Sequence, residues 1–91
     1  MPTISWFYGI SIRMFFADHA PPHFHAVMGR QKAMVSIETG EVLKGDLPPT
    51  ARRLVREWTL RYNDELKDVW DIGQRADGTA MGRIPGLNAD D

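Results

Sequence analysis

The three histidines of the chain lie in one short segment, "DHAPPHFHA", which runs from Asp18 to Ala26. His19 precedes a Pro-Pro step, and His23 and His25 follow it. Histidine is the side chain whose ordinary pKa, about 6.5, lies closest to neutral pH, and its ring nitrogens bind protons or metal ions. Three histidines beside an aspartate in a chain of 91 residues therefore predict one site in which the imidazoles act together.

Alternation along this segment predicts which side chains share a face. Side chains two residues apart on a strand point the same way, so an extended "HFH" places His23 and His25 side by side and turns the residue between them toward a core. Arg13 joins the histidine face if its strand pairs with theirs. Asp18 and His19 then lie at the rim of that face, held by the two stiff prolines.

One interpretation of the cluster is metal binding. A divalent, zinc-like ion takes imidazole and carboxylate ligands. Four side chains offer such ligands: His19, His23, His25 and Asp18. The spacing His-x-His is weakly diagnostic by itself, and His19 must reach the other two histidines across both prolines.

A second interpretation is general acid–base catalysis on an RNA phosphodiester, without a metal or another cofactor. A neutral imidazole removes the proton of the 2′-hydroxyl group, and an imidazolium protonates the leaving oxygen. His23 and His25 are expected to share these roles, in an order left open, because protonating one disfavours protonating its neighbour. Arg13 would stabilise the charge that builds on phosphorus. Asp18 would orient His19 or another histidine.

A third interpretation is structural. In this interpretation Asp18 caps a turn or pairs with Arg13, and the histidines lie on an exposed sheet face and have no catalytic or metal-binding role. A non-enzymatic binding module, whose histidine face contacts a partner protein, is the related functional alternative. The residues alone leave these interpretations open.

The first half of the chain predicts the strands that must position the cluster. Its β-branched and aromatic segments are separated by Pro and Gly turn signals. The pattern predicts a small antiparallel β-meander of about four strands within residues 3–47, with Gly40 in a left-handed turn. The segments are "ISWFYGISIRMFF", "HFHAVM", "KAMVSI" and "VLKGDL".

The second half changes to a helical period. Apolar residues recur every three or four positions, which predicts one long amphipathic helix over about residues 49–72. Pro49 suits its first turn, and Gly73 suits the position just past its end. With this helix packed on one face of the sheet, residues 1–91 would form a single α+β domain. An extended C-terminal tail is expected over residues 76–91, and its last residues, "NADD", are expected to fray.

Composition limits the classes of protein. The chain has no cysteine, which excludes disulfides and thiolate metal sites. No apolar run approaches the roughly 20 residues of a membrane helix, and no signal-peptide pattern opens the sequence. A cytoplasmic protein without membrane contact is therefore expected. Residues 1–34 carry three basic and one acidic side chain, and residues 64–91 three basic and seven acidic, so only the first part would attract an anion.

The chain resembles a bacterial family described as domain of unknown function 4160. The resemblance rests on "MPTISWFYGISIRMFFADHAPPHFHA", where an Ile-x-Ile-x-Met strand leads to the Asp-His-x-Pro-Pro-His-Phe-His motif, on "IETGEVLKGDLPPTARRLVREW" and on "RIPGL". It covers nearly the whole chain. The positions that match the motif and its strand are Arg13, Asp18, His19, Pro22, His23, Phe24 and His25.

This resemblance implies a function that the residues do not give by themselves. Genes of the family commonly lie beside a gene for a small protein of another family, domain of unknown function 2442. Some of these gene pairs look like toxin–antitoxin modules. We therefore expect a toxin-like protein that acts through the histidine cluster as a metal-independent ribonuclease, with RNA as substrate and a domain of unknown function 2442 protein as its antitoxin-like partner. The alternatives are the binding module and a histidine metal-binding protein.

Overall fold

The computed structural model describes residues 3–75, 77 and 79–87. Within them, five strands form one antiparallel sheet in which each strand pairs with the next along the chain. Two helices follow, so the α+β class and the meander are confirmed. The elements are β1 (Thr3–Phe7), β2 (Ile10–Arg13), β3 (His23–Met28), β4 (Gln31–Ser36), β5 (Val42–Gly45), α1 (Pro49–Arg61) and α2 (Asn63–Arg75).

The fifth strand arises because the first apolar segment is a hairpin rather than one strand. Phe7 of β1 pairs with Ile10 of β2, which leaves Tyr8 and Gly9 as a two-residue turn. Their φ angles are 49° and 78°, and two consecutive left-handed residues are the signature of a type I′ turn. The sequence prediction of about four strands was wrong here, because Tyr8 is not a residue that usually marks such a turn.

The sheet has one apolar face, which packs on the helices, and one open face. Phe24, Ala26 and Val35 on the apolar face are fully buried. Strand register places two parallel rows of side chains on the open face. The first row is Trp6, Ser11, Val27 and Lys32, and the second row is Arg13, His25, Met34 and Lys44.

The predicted long helix is two helices. The chain leaves helical geometry at Tyr62, whose φ and ψ are −109° and 30°. The amide side chain of Asn63 donates to the carbonyl oxygen of Ile37 at 2.6 Å, which fixes the start of α2 to the end of β4. The apolar stripe continues through the break, with Tyr62 and Leu66 both buried, and for that reason the sequence period did not reveal it.

Gly73 lies inside α2, not past its end. The helix continues to Arg75. A Cβ at Gly73 would lie 2.5 Å from the terminal methyl group of Met81, so the absence of a side chain allows the segment after α2 to approach the helix closely. The glycine therefore serves packing rather than helix termination.

Trp58 of α1 joins the sheet, the helix and the C-terminal segment. Its side chain is fully buried, and its ring lies 5.3 Å from that of Phe7 and 5.5 Å from that of Phe24. Its indole N–H donates to the carbonyl oxygen of Pro85 at 2.8 Å. This one residue thus holds α1 on the apolar face and the C-terminal segment over it.

The described part of the C-terminal segment, residues 77 and 79–87, has no helix or strand. The backbone N–H of Ile84 donates to the carbonyl oxygen of Ile4 at 2.8 Å, so the segment follows the edge strand β1. The predicted fraying of residues 88–91 lies outside the described residues. No helix among the described residues is long and apolar enough to cross a membrane.

Candidate functional site

The loop between β2 and β3 carries Asp18, and α2 holds it in place. The backbone N–H of Ala17 donates to the carbonyl oxygen of Gly73 at 3.0 Å. The side-chain amide of Gln74 donates to the carbonyl oxygen of Asp18 at 2.7 Å. The last turns of α2 therefore fix the backbone on both sides of the Asp18 carboxylate.

Strand β3 presents two of the histidines on one side. The ring centroids of His23 and His25 are 5.3 Å apart, while Phe24 between them is fully buried on the other side. This is the arrangement that the alternation predicts. The two rings differ in surroundings, since His23 is only 3% exposed and lies 5.4 Å from the ring of Trp70 in α2, whereas His25 is half-buried.

The Asp18 carboxylate and the His23 ring form the closest pair of the cluster. His23 Nε2 lies 2.9 Å from Asp18 Oδ2, and His23 Nδ1 lies 2.8 Å from the carbonyl oxygen of Pro21. Both oxygens are acceptors, and a neutral imidazole carries only one N–H. The His23 ring is therefore held between two acceptors, and its tautomer decides which of them receives the N–H.

His25 is the half-buried histidine of the cluster, and its ring makes no hydrogen bond to Asp18. Its Nε2 lies 4.0 Å from Asp18 Oδ2, beyond hydrogen-bond distance. Burial lowers the pKa of His25 below its ordinary value, as do the nearby His23 and Lys32, whereas Asp18 raises it. A lowered pKa keeps the ring neutral at neutral pH, which is the form that accepts a proton.

His19 lies beside Asp18 but outside the group of converging side chains. Its ring is 95% exposed, and its Nδ1 is 3.6 Å from Asp18 Oδ1. Arg13 lies directly opposite His25 in the β2–β3 register. The two side chains therefore share one face of the sheet, as predicted. The Arg13 Nε–H donates to the hydroxyl oxygen of Ser11 at 3.2 Å.

A cavity of about 680 Å³ opens over these side chains on the open face. Its lining includes two lysines that sequence reasoning missed, Lys32 on β4 and Lys44 on β5. Both are exposed. Alternation with the buried Ala33 would have placed Lys32 on the open face, but only the register shows that both lysines converge on the histidines. The lining residues are Arg13, Phe15, Asp18, His19, His23, His25, Val27, Lys32, Met34, Lys44 and Gly45.

Three ligand atoms of the kind that bind metal ions also converge in this cavity. One ligand atom each of Asp18, His23 and His25 lies within 4.8 Å of the other two. His19, the fourth side chain of the sequence prediction, is not part of this group. The contact between His23 Nδ1 and the carbonyl oxygen of Pro21 resembles the contact to a backbone carbonyl that commonly orients metal-ligating histidines.

Comparison with known protein families identifies a match over most of the chain. The model of the family described as "Domain of unknown function (DUF4160)" matches residues 9–71. This range contains the whole histidine segment and α1, whereas the "MPTI" opening and the "RIPGL" segment lie outside it. No curated protein and no solved structure matches the chain.

Proposed function

The chain belongs to the family described as Domain of unknown function (DUF4160), and from that premise we propose that it cleaves RNA by general acid–base catalysis in the histidine cavity. One observation carries the proposal. A half-buried histidine with a lowered pKa, His25, lies between a fixed Asp18–His23 pair and the cations of the cavity. A base flanked by positive charge suits a reaction in which a phosphodiester gains negative charge.

In the proposed reaction, Nε2 of His25 accepts the proton of an RNA 2′-hydroxyl group. The 2′-oxygen forms a bond to phosphorus while the bond from phosphorus to the 5′-oxygen breaks, and that leaving oxygen takes a proton from His19 in its protonated form. The products are a 2′,3′-cyclic phosphate and a 5′-hydroxyl end. Arg13 and Lys32 stabilise the phosphoryl oxygens, and no metal ion takes part.

His23 has a positioning role in this scheme rather than an equal share in proton transfer. It is 3% exposed, and both of its ring nitrogens face acceptors, so a substrate oxygen does not reach it without displacing Asp18. The Asp18–His23 pair instead sets the position and electrostatic surroundings of His25. This arrangement refines the expectation that His23 and His25 act as base and acid.

We further propose that this activity makes the protein the toxin-like member of a two-gene module. The support is the family resemblance, which implies a domain of unknown function 2442 protein as the antitoxin-like partner. Such a partner would inhibit cleavage by covering the open face. The alternative, a binding module without catalysis, uses the same face and predicts that partner affinity rather than RNA cleavage depends on the histidines.

The deciding experiment measures cleavage of a fluorescent RNA oligomer by purified protein in excess EDTA. The wild type is expected to generate a cyclic-phosphate end. His25→Asn should lower the rate roughly 100- to 10,000-fold, the usual contribution of a general base. Arg53→Ala on α1, which lies outside the cavity lining, is the matched control and should leave the rate unchanged. Intact RNA with folded wild type between pH 5 and 8 would contradict the proposal.

A metal-binding protein is the second candidate function, favoured by the convergence of Asp18, His23 and His25. In that case the three side chains would hold a zinc-like divalent ion, and His25 would not be free to accept a proton. Metal analysis of protein purified without a histidine tag distinguishes the two functions. One equivalent of zinc that disappears in His25→Asn would favour the metal site, and metal-free protein that cleaves RNA would favour the ribonuclease.

A further inference from the structure

The open face of the sheet carries an exposed tryptophan and a set of cations beside the histidine cavity. We propose that this face binds single-stranded RNA, with one base stacked on Trp6 and the phosphates held by Lys32, Lys44 and Arg13. The inference rests on the proposed cleavage reaction for its choice of RNA over DNA. It adds the surface that binds the substrate, and it assigns Trp6, which no part of the proposed reaction uses.

Trp6 is the first observation. Its side chain is 61% exposed, whereas the other two tryptophans, Trp58 and Trp70, are 0% and 8% exposed. Trp6 pairs with Ser11 in the β1–β2 register, so it stands on the open face rather than in the core. Leaving an indole ring in water forgoes the large stabilisation that aromatic burial gives. A flat aromatic ring on an open sheet is a suitable platform for a nucleic-acid base.

The charge on this face is the second observation. Among the side chains that line the cavity, Arg13, Lys32 and Lys44 are basic, and Asp18 is the one acidic group. Within the described residues, no carboxylate lies within 4 Å of the Lys32 or Lys44 ammonium group, whereas Glu41 and Asp46 form ion pairs with arginines of α1. The cavity lining therefore carries more basic than acidic side chains, although the chain has a net charge of −1. Phosphates complement such a face.

The spacing of the rows connects both observations to His25. Trp6 and Lys32 lie at the two ends of the first row, which spans three strand spacings, or about 14 Å. His25 lies in the second row, and the two rows are about 7 Å apart along the strands. A strand of RNA with a base on Trp6 would thus cross Arg13 and reach His25 within a few nucleotides. The base on Trp6 must be unpaired in order to stack, so the face selects single strands over duplexes.

The test is binding of a fluorescein-labelled eight-residue oligouridylate. Anisotropy is measured in EDTA with the His25→Asn variant, whose slowed cleavage keeps the RNA intact during the measurement. Adding Trp6→Ala should weaken binding roughly 5- to 100-fold, the range that one stacked base contributes. Adding Lys44→Ala should reduce the slope of log K against log salt by about 0.7, as expected for one lost phosphate contact. Bound RNA should also quench the fluorescence of Trp6, in a signal absent from Trp6→Phe.

The matched controls are Leu60→Ala, which removes another exposed apolar side chain (54% exposed), and Lys67→Ala, which removes an exposed lysine of α2. Both should leave affinity unchanged. The corresponding oligodeoxyuridylate should bind nearly as tightly as the RNA, because the proposed contacts are to bases and phosphates. It should not be cleaved, because it lacks the 2′-hydroxyl group. RNA binding without cleavage by the wild type would overturn the proposed reaction and leave this inference standing.

Several outcomes would overturn the inference. Undetectable RNA binding at 50 mM salt by the folded protein is one, and equal affinity of Trp6→Ala is another. Equal binding of a duplex RNA would exclude a stacked base. Competition by poly-L-glutamate at equal charge concentration would assign the face to an acidic protein partner instead.

Discussion

At the scale of single residues, the three histidines have become chemically different through their neighbours. His19 is exposed to solvent, His23 is buried between two acceptors, and His25 is half-buried without a hydrogen bond to Asp18. Identical side chains within seven residues of sequence therefore differ in the roles open to them. The differences come from α2, whose Trp70 covers His23, and from the lysine that faces His25.

The pKa of His25 should respond to its neighbours in opposite directions. Burial, His23 and Lys32 lower it, and Asp18 raises it. Asp18→Asn should therefore lower the pKa further, and Lys32→Ala should raise it toward 6.5. Titration of the ring protons by NMR measures both shifts. A wild-type midpoint above 6.5, or shifts of the same sign in the two variants, would contradict this account of the site.

The same lowered pKa makes folding stability depend on pH. Between the lowered native pKa of His25 and its ordinary value, the unfolded chain binds more protons than the native protein, so stability rises with pH. This contribution is fully present above about pH 6.5 and is lost as pH falls through the native pKa. Urea unfolding across pH 5 to 7.5 should therefore show a smaller pH slope for His25→Asn than for the wild type.

At the scale of elements, the break at Tyr62 lets the helical half of the chain serve two purposes. Helix α1 packs Trp58 on the sheet, and α2 turns to hold the Asp18 loop and cover His23. The break also places Asp64 and Glu65 in the first turn of α2, where the helix dipole favours acidic residues. In one continuous helix they would lie in its interior, where the dipole contributes little.

Asn63 should contribute to stability through its bond to the carbonyl oxygen of Ile37. Asn63→Ala is expected to cost about 1 kcal/mol in the free energy of unfolding, since an accepting group loses its partner. Asn63→Asp should cost at least as much, because it places a second acceptor against that carbonyl. Urea denaturation measures both. Stabilisation by Asn63→Asp would mean that the charge at the helix start matters more than the bond.

Gly73 and Met81 should be energetically coupled. Alanine is favoured over glycine inside a helix by about 1 kcal/mol, but a Cβ at Gly73 contacts the Met81 methyl group. Gly73→Ala should therefore stabilise the protein more in a Met81→Ala background than in the wild type. A double-mutant cycle on the free energy of unfolding measures the difference. A coupling energy of zero would show that Met81 moves aside without cost.

At the scale of the whole molecule, the sheet separates a stabilising face from a face free for binding. The aromatic contacts of Trp58 with Phe7 and Phe24 lie on one side, and His25 with Lys32 and Lys44 lies on the other. Substitutions on the open face should therefore alter function without unfolding the protein. This separation makes the binding experiments on Trp6 and the lysines interpretable.

Trp58 should be the most sensitive single position for stability. Trp58→Ala is expected to cost about 3–5 kcal/mol, a large part of the roughly 5–14 kcal/mol available to a domain of this size. Trp58→Phe keeps most of the ring contacts and loses the bond to Pro85, so it should cost less and remain folded. Leu60→Ala on the exposed side of α1 should change stability by no more than about 0.5 kcal/mol. Thermal and urea unfolding rank the three variants.

Features that depend on local periodicity could be predicted from the sequence. Alternation placed His23 and His25 on one side of β3 and Phe24 on the other. The helical period identified the apolar residues of the second half of the chain that pack on the sheet. The family's motif likewise lies in contiguous residues. Such features are readable because they need only the direction in which neighbouring side chains point.

The tertiary structure alone decided what depends on contacts between distant segments. It split the first strand at Tyr8, broke the helix at Tyr62 and brought Lys32, Lys44 and the end of α2 to the histidines. Neither the burial of His23 nor the exposure of His19 follows from their spacing. Burial and electrostatic surroundings are set by whatever the rest of the chain packs against a residue, and a periodic pattern carries no information about that partner.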